Sequence, residues 1–300
     1  MDKILVIIVT YNAMEWVERC FSSVRNSSIS VDMYVVDNGS SDGTQDYILK
    51  HYPEVHFTQS DDNLGFGKAN NIGLQYAIDK NYDYVYLLNQ DAWIYNDTIE
   101  SLISIHKQNS EYGILSPFQL QANSGHLDNN FYLHSCSGEK CKLLFDDLYF
   151  NRIKDVYPVS MVMAAHWLLS IDCIKQVGGF SPTFPHYGED NNYADRVLYH
   201  NFKIGIVPKS YAIHDRESRI DNKQKKIYLS HINNLIILSN IYSKNSLYLI
   251  IYNTIRTIVY NKTIQPFKNL MKILLNVKRI KKNRFESKQE CAFLNNSQKS

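Results

Sequence analysis

Residues 84 to 91 read Tyr-Val-Tyr-Leu-Leu-Asn-Gln-Asp, five apolar or aromatic residues followed by three polar ones. Such a run is typical of a strand buried on both faces of a parallel sheet. It would deliver Asp91 to the C-terminal edge of that sheet, where open α/β sheets bind their ligands. A carboxylate there can share Mg²⁺ or Mn²⁺ with the phosphates of a substrate. An acid at this position can equally cap the next turn or helix.

Strand-like and helix-like segments alternate on the N-terminal side of this stretch. The predicted strands are residues 4–9, 33–36, 55–58 and 84–88, and the helices between them are residues 14–25, 45–51 and a segment ending at residue 77. This alternation predicts right-handed βαβ crossovers and a mostly parallel central sheet flanked by helices. The polar loops after the strands would then share one edge of the sheet, and we expect the site there.

The polar loops disfavour two common classes of phosphate-binding domain. The first loop, Thr10-Tyr11-Asn12-Ala13, has none of the glycines of a G-x-G-x-x-G motif, and the chain contains no G-x-x-x-x-G-K-[ST] motif. A nicotinamide or flavin Rossmann domain and a P-loop are therefore disfavoured. Asp37 ends the second strand, where an acid can accept hydrogen bonds from a ribose. Phosphate binding then falls to Asp91 with a metal ion.

Four motifs follow one another in a recognisable order. They are Thr10-Tyr11-Asn12, then Val36-Asp37-Asn38-Gly39-Ser40 with Asp42-Gly43-Thr44, then Asn63-Leu64-Gly65-Phe66-Gly67 with Asn70, and finally Leu88-Asn89-Gln90-Asp91. Over residues 3–240 the chain resembles family 2 glycosyltransferases of the GT-A fold, in particular their rhamnosyltransferase-like bacterial branch. The resemblance implies a UDP- or dTDP-sugar donor, bound by Thr10, Tyr11, Asn12, Asp37, Asn38, Asn63, Gly65, Phe66, Asn70, Asn89, Gln90 and Asp91.

A fifth motif lies in the second half of the chain. Gly178-Gly179-Phe180 and Tyr187-Gly188-Glu189-Asp190 resemble the acceptor-side motif of the family, whose second acid is the catalytic base. The resemblance implies that Asp190 is this base and Glu189 a supporting residue, although two acids at a helix start can simply complement the helix dipole. A hydroxyl attacking an anomeric carbon needs a carboxylate to take its proton, and direct displacement predicts inversion. Further candidate sugar contacts are His166, Trp167 and Tyr187.

A second metal ligand is implied by the resemblance. His214 follows a predicted strand at residues 204–208, in a position where family members often use a histidine for metal or diphosphate binding. We therefore expect Asp91 and His214 to hold Mg²⁺ or Mn²⁺; the alternative is a histidine paired locally with Asp215. Asn89 stands where many relatives have the first of two acids, which leaves the site one carboxylate.

The charge is divided unevenly along the 300 residues, whose formal net charge is +2. Residues 223–300 contain 15 Lys and Arg against 2 Asp and Glu, a net charge of +13, which leaves −11 for residues 1–222. We therefore predict a GT-A catalytic domain over residues 1–222, with a nucleotide-binding half (1–93) and an acceptor half (94–222). A basic, helical C-terminal appendage would follow over residues 223–290, and a disordered tail over residues 291–300.

The basic helices suggest where the protein works. They can lie on an anionic membrane surface, which would suit a saccharide acceptor linked to polyprenyl diphosphate; alternatively they pack on the catalytic domain or form a homodimer. No nucleic-acid motif accompanies the charge. The absence of a signal-peptide pattern and of a membrane-spanning run, with five scattered cysteines, favours a cytoplasmic protein, peripheral on the inner face of the cell membrane.

Together these features predict a glycosyltransferase that builds a bacterial surface polysaccharide such as a capsule or O-antigen. Two alternatives remain at the level of the sequence. A nucleotidyltransferase can share an α/β sheet with an acid-bound metal, and a non-catalytic nucleotide-sugar binding subunit would need no base.

Overall fold

The computed structural model describes residues 2–122, 125–215, 223–243 and 246–294. The strands are β1 Ile4–Thr10, β2 Asp32–Asp37, β3 His56–Gln59, β4 Tyr84–Asn89, β5 Ala92–Ile94, β6 Tyr112–Leu120, β7 Tyr157–Val159, β8 His166–Ser170 and β9 Lys203–His214. The helices are α1 Val17–Arg25, α2 Thr44–His51, α3 Gly65–Asp79, α4 Thr98–Gln108, α5 Asn129–Phe131, α6 Leu144–Tyr149, α7 Ile171–Val177, α8 Glu189–Tyr199, α9 Lys223–Ser239, α10 Ser246–Asn261, α11 Gln265–Leu275 and α12 Val277–Glu286.

One mixed sheet runs through residues 4–214. Its strands lie in the order β3-β2-β1-β4-β8-β6-β9-β5, and β7 pairs with β9. Strands β1 to β4 are parallel as predicted, and so are β6 and β9, whereas β8 lies antiparallel between β4 and β6. The predicted α/β fold with a central sheet flanked by helices is confirmed. Its parallel character is confined to these strands, because β5, β7 and β8 all pair antiparallel.

Helices cover both faces of the sheet, which explains the unbroken apolar run of β1. Leu5 and Ile7 face one hydrophobic cluster, with α3, α7 and α8, while Ile4, Val6 and Ile8 face the other, with α1 and α4. Side chains alternate across a strand, so a strand covered on both sides needs apolar residues at every position. Helix α3 lies so close to the sheet that a Cβ at Gly73 would come within 2.7 Å of the Ile7 side chain.

The C-terminal helices α9 to α12 are present as predicted and pack on the acceptor side of the sheet. Their shared cluster includes Phe184 of the catalytic part and seven side chains of the appendage: Ile232, Leu235, Leu238, Ile250, Leu270, Ile273 and Ile280. Between residues 265 and 286 the chain forms two helices, α11 and α12, which meet at Asn276. No helix in the described ranges is long and apolar enough to cross a bilayer.

The tail departs from its prediction. The Gly179 amide donates to the Ala292 carbonyl over 2.7 Å, and the Cys291 amide donates to the Lys175 carbonyl over 3.0 Å. Ala292 is buried. Disorder from residue 291 onward is therefore wrong for residues 291–294, while residues 295–300 lie outside the described part of the chain. The proposed boundary at residue 222 also adjoins residues that are not described, 216–222, and stays a prediction.

Candidate active site

A cleft of about 280 Å³ opens at the C-terminal ends of β1 and β4. It brings together Asp91, Glu189 and Asp190, which lie far apart in the sequence. The remaining lining residues come from both halves of the catalytic part and are Val9, Tyr11, Asn38, Asn63, Gly65, Phe66, Asn89, Gln90, Met163, Ala164, Ala165, His186 and Tyr187. The two acids on which the predicted chemistry depends thus share one cavity.

The loop after β1 is tied to its neighbours by paired hydrogen bonds. The Tyr11 amide donates to Gln90 Oε1 over 2.6 Å, and Gln90 Nε2 donates to the Tyr11 carbonyl over 3.1 Å. Asn12 joins the same loop to the next one: its amide donates to Ser40 Oγ over 2.9 Å, and its Oδ1 accepts from the Ser41 amide over 2.9 Å. Tyr11 and Gln90 therefore line the cleft, whereas Asn12, which does not line it, holds the loops together.

Thr10 and Asp37, both predicted to contact the donor, are fully buried and do not line the cleft, and their contact with the donor stays a prediction. The Asp37 carboxylate accepts hydrogen bonds from Thr10 Oγ1, from the Ser40 hydroxyl, from Gln45 Nε2 and from the amides of Gly39 and Ser40. A carboxylate satisfied in this way shapes the loop after β2. Asn38, next in sequence, lines the cleft instead.

The start of α3 joins the two halves of the site. Gly65 has a φ of +76°, and a Cβ there would lie 2.4 Å from the Pro185 carbonyl oxygen. Asn63 supports the turn, since its Oδ1 accepts from the Gly65 amide over 2.9 Å. The rings of Phe66 and Phe180 meet edge to face with centroids 5.5 Å apart. Only a residue without a Cβ permits this approach, which explains the glycine of the third motif.

Two neighbouring asparagines of α3 make hydrogen bonds within the protein. Asn70 is buried, does not line the cleft and donates to the Phe66 carbonyl of its own helix over 2.9 Å, and its donor contact stays a prediction. Asn71, which the sequence analysis missed, donates to the Phe180 carbonyl over 2.9 Å and accepts from the Phe180 amide over 2.6 Å. It clamps the Gly-Gly-Phe segment to α3. Only its position beside Asn70 could have indicated this role.

The residues expected to hold a metal meet at the inner end of the cleft. His214 Nε2 lies 3.4 Å from Asp91 Oδ1, and both side chains are buried. The histidine thus faces Asp91, whereas the carboxylate of Asp215 accepts from Trp16 Nε1 over 3.3 Å. Asn89 Oδ1 is a buried oxygen with no hydrogen-bond partner among the described residues. One carboxylate, one amide oxygen and one imidazole are donors that fit Mg²⁺ or Mn²⁺.

This donor set is small. Within the described ranges no group of three or more His, Cys, Asp or Glu side chains is arranged to hold a metal ion. A cation here would take its remaining ligands from water and from the substrate's phosphates, as Mg²⁺ usually does.

The acceptor side is built around the first turn of α8. Gly188, with a φ of +87°, precedes the helix and allows the chain to enter it sharply. Asp190 is half-buried, and its Oδ1 accepts from the Asn191 amide over 2.8 Å. Glu189 is buried, and its Oε2 has no hydrogen-bond partner in the described part of the chain. Burial, and then the neighbouring Asp190, raise the pKa of Glu189 to about 8.

Two of the three predicted sugar contacts are core residues. His166 is fully buried, with Tyr86 Oη 2.9 Å from its Nδ1 and the Ile213 carbonyl 3.0 Å from its Nε2. Trp167 is also fully buried and donates to the Val162 carbonyl over 3.2 Å. Neither residue lines the cleft, and their sugar contacts stay predictions. Tyr187 does line the cleft, together with four residues that the sequence analysis passed over: Met163, Ala164, Ala165 and His186.

Three comparisons relate the chain to known proteins. A family model described as glycosyl transferase family 2 matches residues 5–153. The low-salt glycan biosynthesis hexosyltransferase Agl10 of Haloferax volcanii is 25% identical over 249 residues, which are 82% of this chain and 78% of that protein. An N-acetylglucosaminyl-diphospho-decaprenol L-rhamnosyltransferase of Mycobacterium tuberculosis is 24% identical over 235 residues, which are 72% of this chain and 76% of that protein.

The fold has a similar solved structure, residues 1–349 of S. aureus TarS in complex with UDP-GlcNAc. The two chains superimpose with a TM-score of 0.54 at 16% identity, over 79% of this chain and 66% of the TarS chain. At this identity the likeness shows the fold, which is that of the GT-A enzymes. About half of the sequence is matched by the family model, and the matched residues include one wall of the cleft with Asp91. Residues 5–153 therefore form a glycosyltransferase family 2 domain.

Proposed function

We propose that the protein moves a sugar from a nucleotide diphospho-sugar to a hydroxyl of a saccharide acceptor, with both substrates bound in the one cleft. The observation that carries this proposal is the meeting of Asp91 and Asp190 in a single cavity. Asp91 lies at the end of the parallel strands, where nucleotides bind in α/β folds. Asp190 lies at the opposite wall, on the first turn of α8.

The donor is proposed to be a UDP- or dTDP-sugar. Tyr11 and Asn38 line the cleft beside β1 and β2, where we place the nucleoside. The TarS structure holds UDP-GlcNAc, and the mycobacterial relative is named as a rhamnosyltransferase. These names support a nucleotide-sugar donor for this chain and leave both sugars as candidates.

Enzymes of this family and fold generally use a divalent cation. In this chain Asp91 would hold Mg²⁺ or Mn²⁺, assisted by Asn89 and His214. When bound, such an ion offsets the negative charge that develops on the leaving diphosphate.

Asp190 is proposed to act as the base. Its carboxylate takes the proton of the acceptor hydroxyl, while the oxygen of that hydroxyl bonds to the anomeric carbon and the diphosphate leaves from the opposite face. One direct displacement inverts the anomeric configuration. Glu189 is protonated at neutral pH because its pKa is about 8, so it adds no second negative charge beside the base.

The acceptor is proposed to be a saccharide linked to polyprenyl diphosphate. The mycobacterial relative is named for a decaprenol-linked substrate, and the basic C-terminal helices would suit work at a membrane surface. The protein would then be cytoplasmic, peripheral on the inner face of the cell membrane, and would contribute to a capsule or O-antigen. Membership of a glycosyltransferase family speaks against the nucleotidyltransferase and the non-catalytic subunit considered from the sequence.

The test is the substitution Asp190→Asn. We expect at least a roughly 100-fold loss of kcat, since general base catalysis typically contributes about 10²- to 10⁴-fold. Donor-induced thermal stabilisation with Mn²⁺ should persist, because ligands that bind the native state raise its apparent stability. Asp46→Asn, an exposed acid in the first turn of α2, is the matched control. Full turnover by Asp190→Asn, or a product that retains the donor's anomeric configuration, would contradict the mechanism.

A further inference from the structure

Helix α10 turns its apolar side outward. The residues that it buries are Ile250, Thr254, Thr257 and Asn261, three of them polar. Its large apolar side chains point into solvent instead: Leu247, Tyr248, Leu249, Ile251, Tyr252, Ile255, Val259 and Tyr260 are all exposed, Tyr248, Val259 and Tyr260 by 70% or more. A surface helix of a water-soluble domain normally does the reverse.

Hydrogen bonds explain why the polar side of α10 faces inward. Thr257 Oγ1 lies 2.7 Å from Ser230 Oγ of α9. Asn234 Nδ2 of α9 donates to Thr254 Oγ1 over 3.1 Å, and its Oδ1 accepts from Asn253 Nδ2 over 2.7 Å. The polar groups are thus satisfied within the protein, as buried polar groups must be. The outward apolar side has no such partner in the described chain.

Helix α11, which packs against α10, also exposes large apolar side chains. Ile264, Phe267, Met271, Leu274 and Leu275 are exposed there. We call the exposed apolar residues of 247–275 the outer apolar face. Contiguous exposed apolar surface of this kind marks a site of interaction with a protein or a membrane.

The charge of the two helices distinguishes these partners. Residues 246–275 contain four Lys and Arg and no Asp or Glu. Arg256, Lys262, Lys268 and Lys272 are exposed in or between α10 and α11. In a two-fold dimer through this face the same cations of both copies would meet without any acid of the face to pair with them. The headgroups of anionic lipids supply the opposite charge.

We propose that the outer apolar face lies in the headgroup region of an anionic lipid bilayer. Helix α10 has 16 residues and is therefore about 24 Å long, too short for a hydrocarbon core of about 30 Å, so it would lie in the plane of the membrane. Tyr248, Tyr252 and Tyr260 are residues that favour the membrane interface. Helix α9 links this face to the cleft, since Ile232 packs against Phe184 and Gly188 beside the base-bearing helix.

Only the use of the outer apolar face, which is to bring the cleft to a lipid-carried acceptor, rests on the proposed function. The sequence suggested membrane contact through the charge of the basic helices, whereas the exposed apolar residues that would enter the bilayer lie on α10 and α11.

The test is co-sedimentation with vesicles of phosphatidylcholine, with and without phosphatidylglycerol. We expect the full chain to bind the anionic vesicles and Ile255→Glu/Val259→Glu to bind them at least tenfold more weakly. Lys262→Gln and Lys268→Gln should each weaken binding about fivefold. Leu49→Glu/Leu133→Glu, at two apolar positions that are each 52% exposed elsewhere, is the matched control and should bind like the unmodified chain.

Several outcomes would overturn the proposal. One is equal binding by Ile255→Glu/Val259→Glu and the unmodified chain, and another is no binding to anionic vesicles. A third is a dimer in sedimentation velocity that the same double substitution converts to a monomer, because the face would then bind a second copy. Thermal stabilisation by the donor, measured in the same variants, separates this test from the test of the proposed function. The surface substitutions should leave that stabilisation unchanged. If the donor does not stabilise the unmodified chain, the result counts against the proposed function alone.

Discussion

Glu189→Gln is expected to change how the stability of the protein depends on pH. The pKa of Glu189 is raised from 4.5 to about 8, first by burial and then by Asp190. Between these values the folded protein keeps a proton that the unfolded chain has released. The stability that the raised pKa of Glu189 contributes is therefore fully present below pH 4.5 and is lost as the pH rises toward 8. Glutamine keeps the shape of the side chain and does not titrate, so the variant lacks this loss.

The size of the effect follows from the shift. One pKa unit corresponds to about 1.4 kcal/mol, so the unfolding free energy of Glu189→Gln should rise relative to the unmodified protein by about 2.5 kcal/mol between pH 5 and pH 7. The prediction is the change of this difference in unfolding free energy with pH. Its value at low pH also depends on how well the glutamine amide packs in place of the carboxyl group. For a chain of this size the change corresponds to roughly 5 °C or more in Tm.

Urea unfolding followed by tryptophan fluorescence at pH 5, 6, 7 and 8 measures the difference. Glu15→Gln, at an exposed position, should leave the pH dependence unchanged. A difference between Glu189→Gln and the unmodified protein that stays constant across this range would refute the argument, since it would mean that Glu189 is ionised in the folded protein at neutral pH.

Two further predictions concern the donor side of the cleft. Gly65→Ala places a Cβ 2.4 Å from the Pro185 carbonyl oxygen at a φ of +76°, and we expect it to lower stability by at least about 2 kcal/mol in thermal melts. Gly125→Ala, at a φ of +64° with nothing within 4 Å, should lower stability less, because it adds backbone strain and no steric clash. Equal losses of stability in the two variants would contradict the close approach at Gly65. Asp91→Asn should weaken Mn²⁺-dependent donor binding by tenfold or more in calorimetry, and an unchanged affinity would show that Asp91 does not hold the ion.

The donor side could be predicted largely from the sequence, because its signals are local. Strand β4 is a continuous apolar run ending in polar residues, and Asp91 lies at the edge of the sheet where such a run predicts it. The direction of β8 could not be predicted in this way, because the apolar alternation at residues 159–170 is the same for either pairing. The antiparallel pairing turns His166 and Trp167 into the core and leaves Ala164 and Ala165 at the cleft.

The hydrogen bonds that polar side chains make within the protein could not be predicted from the sequence either. Asp37 has the type and position of a ligand-binding acid, yet its oxygens are occupied by hydrogen bonds from Thr10, Ser40, Gln45 and backbone amides. Which polar groups meet across loops depends on tertiary structure and not on spacing in the sequence. The clamp between Asn71 and Phe180 was missed for the same reason, since its partners lie 109 positions apart.

The short segment at residues 291–294 sets how far the chain must extend for the acceptor side to be intact. A Cβ at Gly178 would lie 2.0 Å from the Ala292 carbonyl oxygen, and the ring of Phe293 lies 4.9 Å from the guanidinium carbon of the fully buried Arg196 in α8. Truncation after the region matched by the family, or even after α12, would uncover that cation and free the glycine turn in front of Phe180. A minimal expression fragment of this transferase should accordingly retain residue 294, and fusion partners belong at its other end.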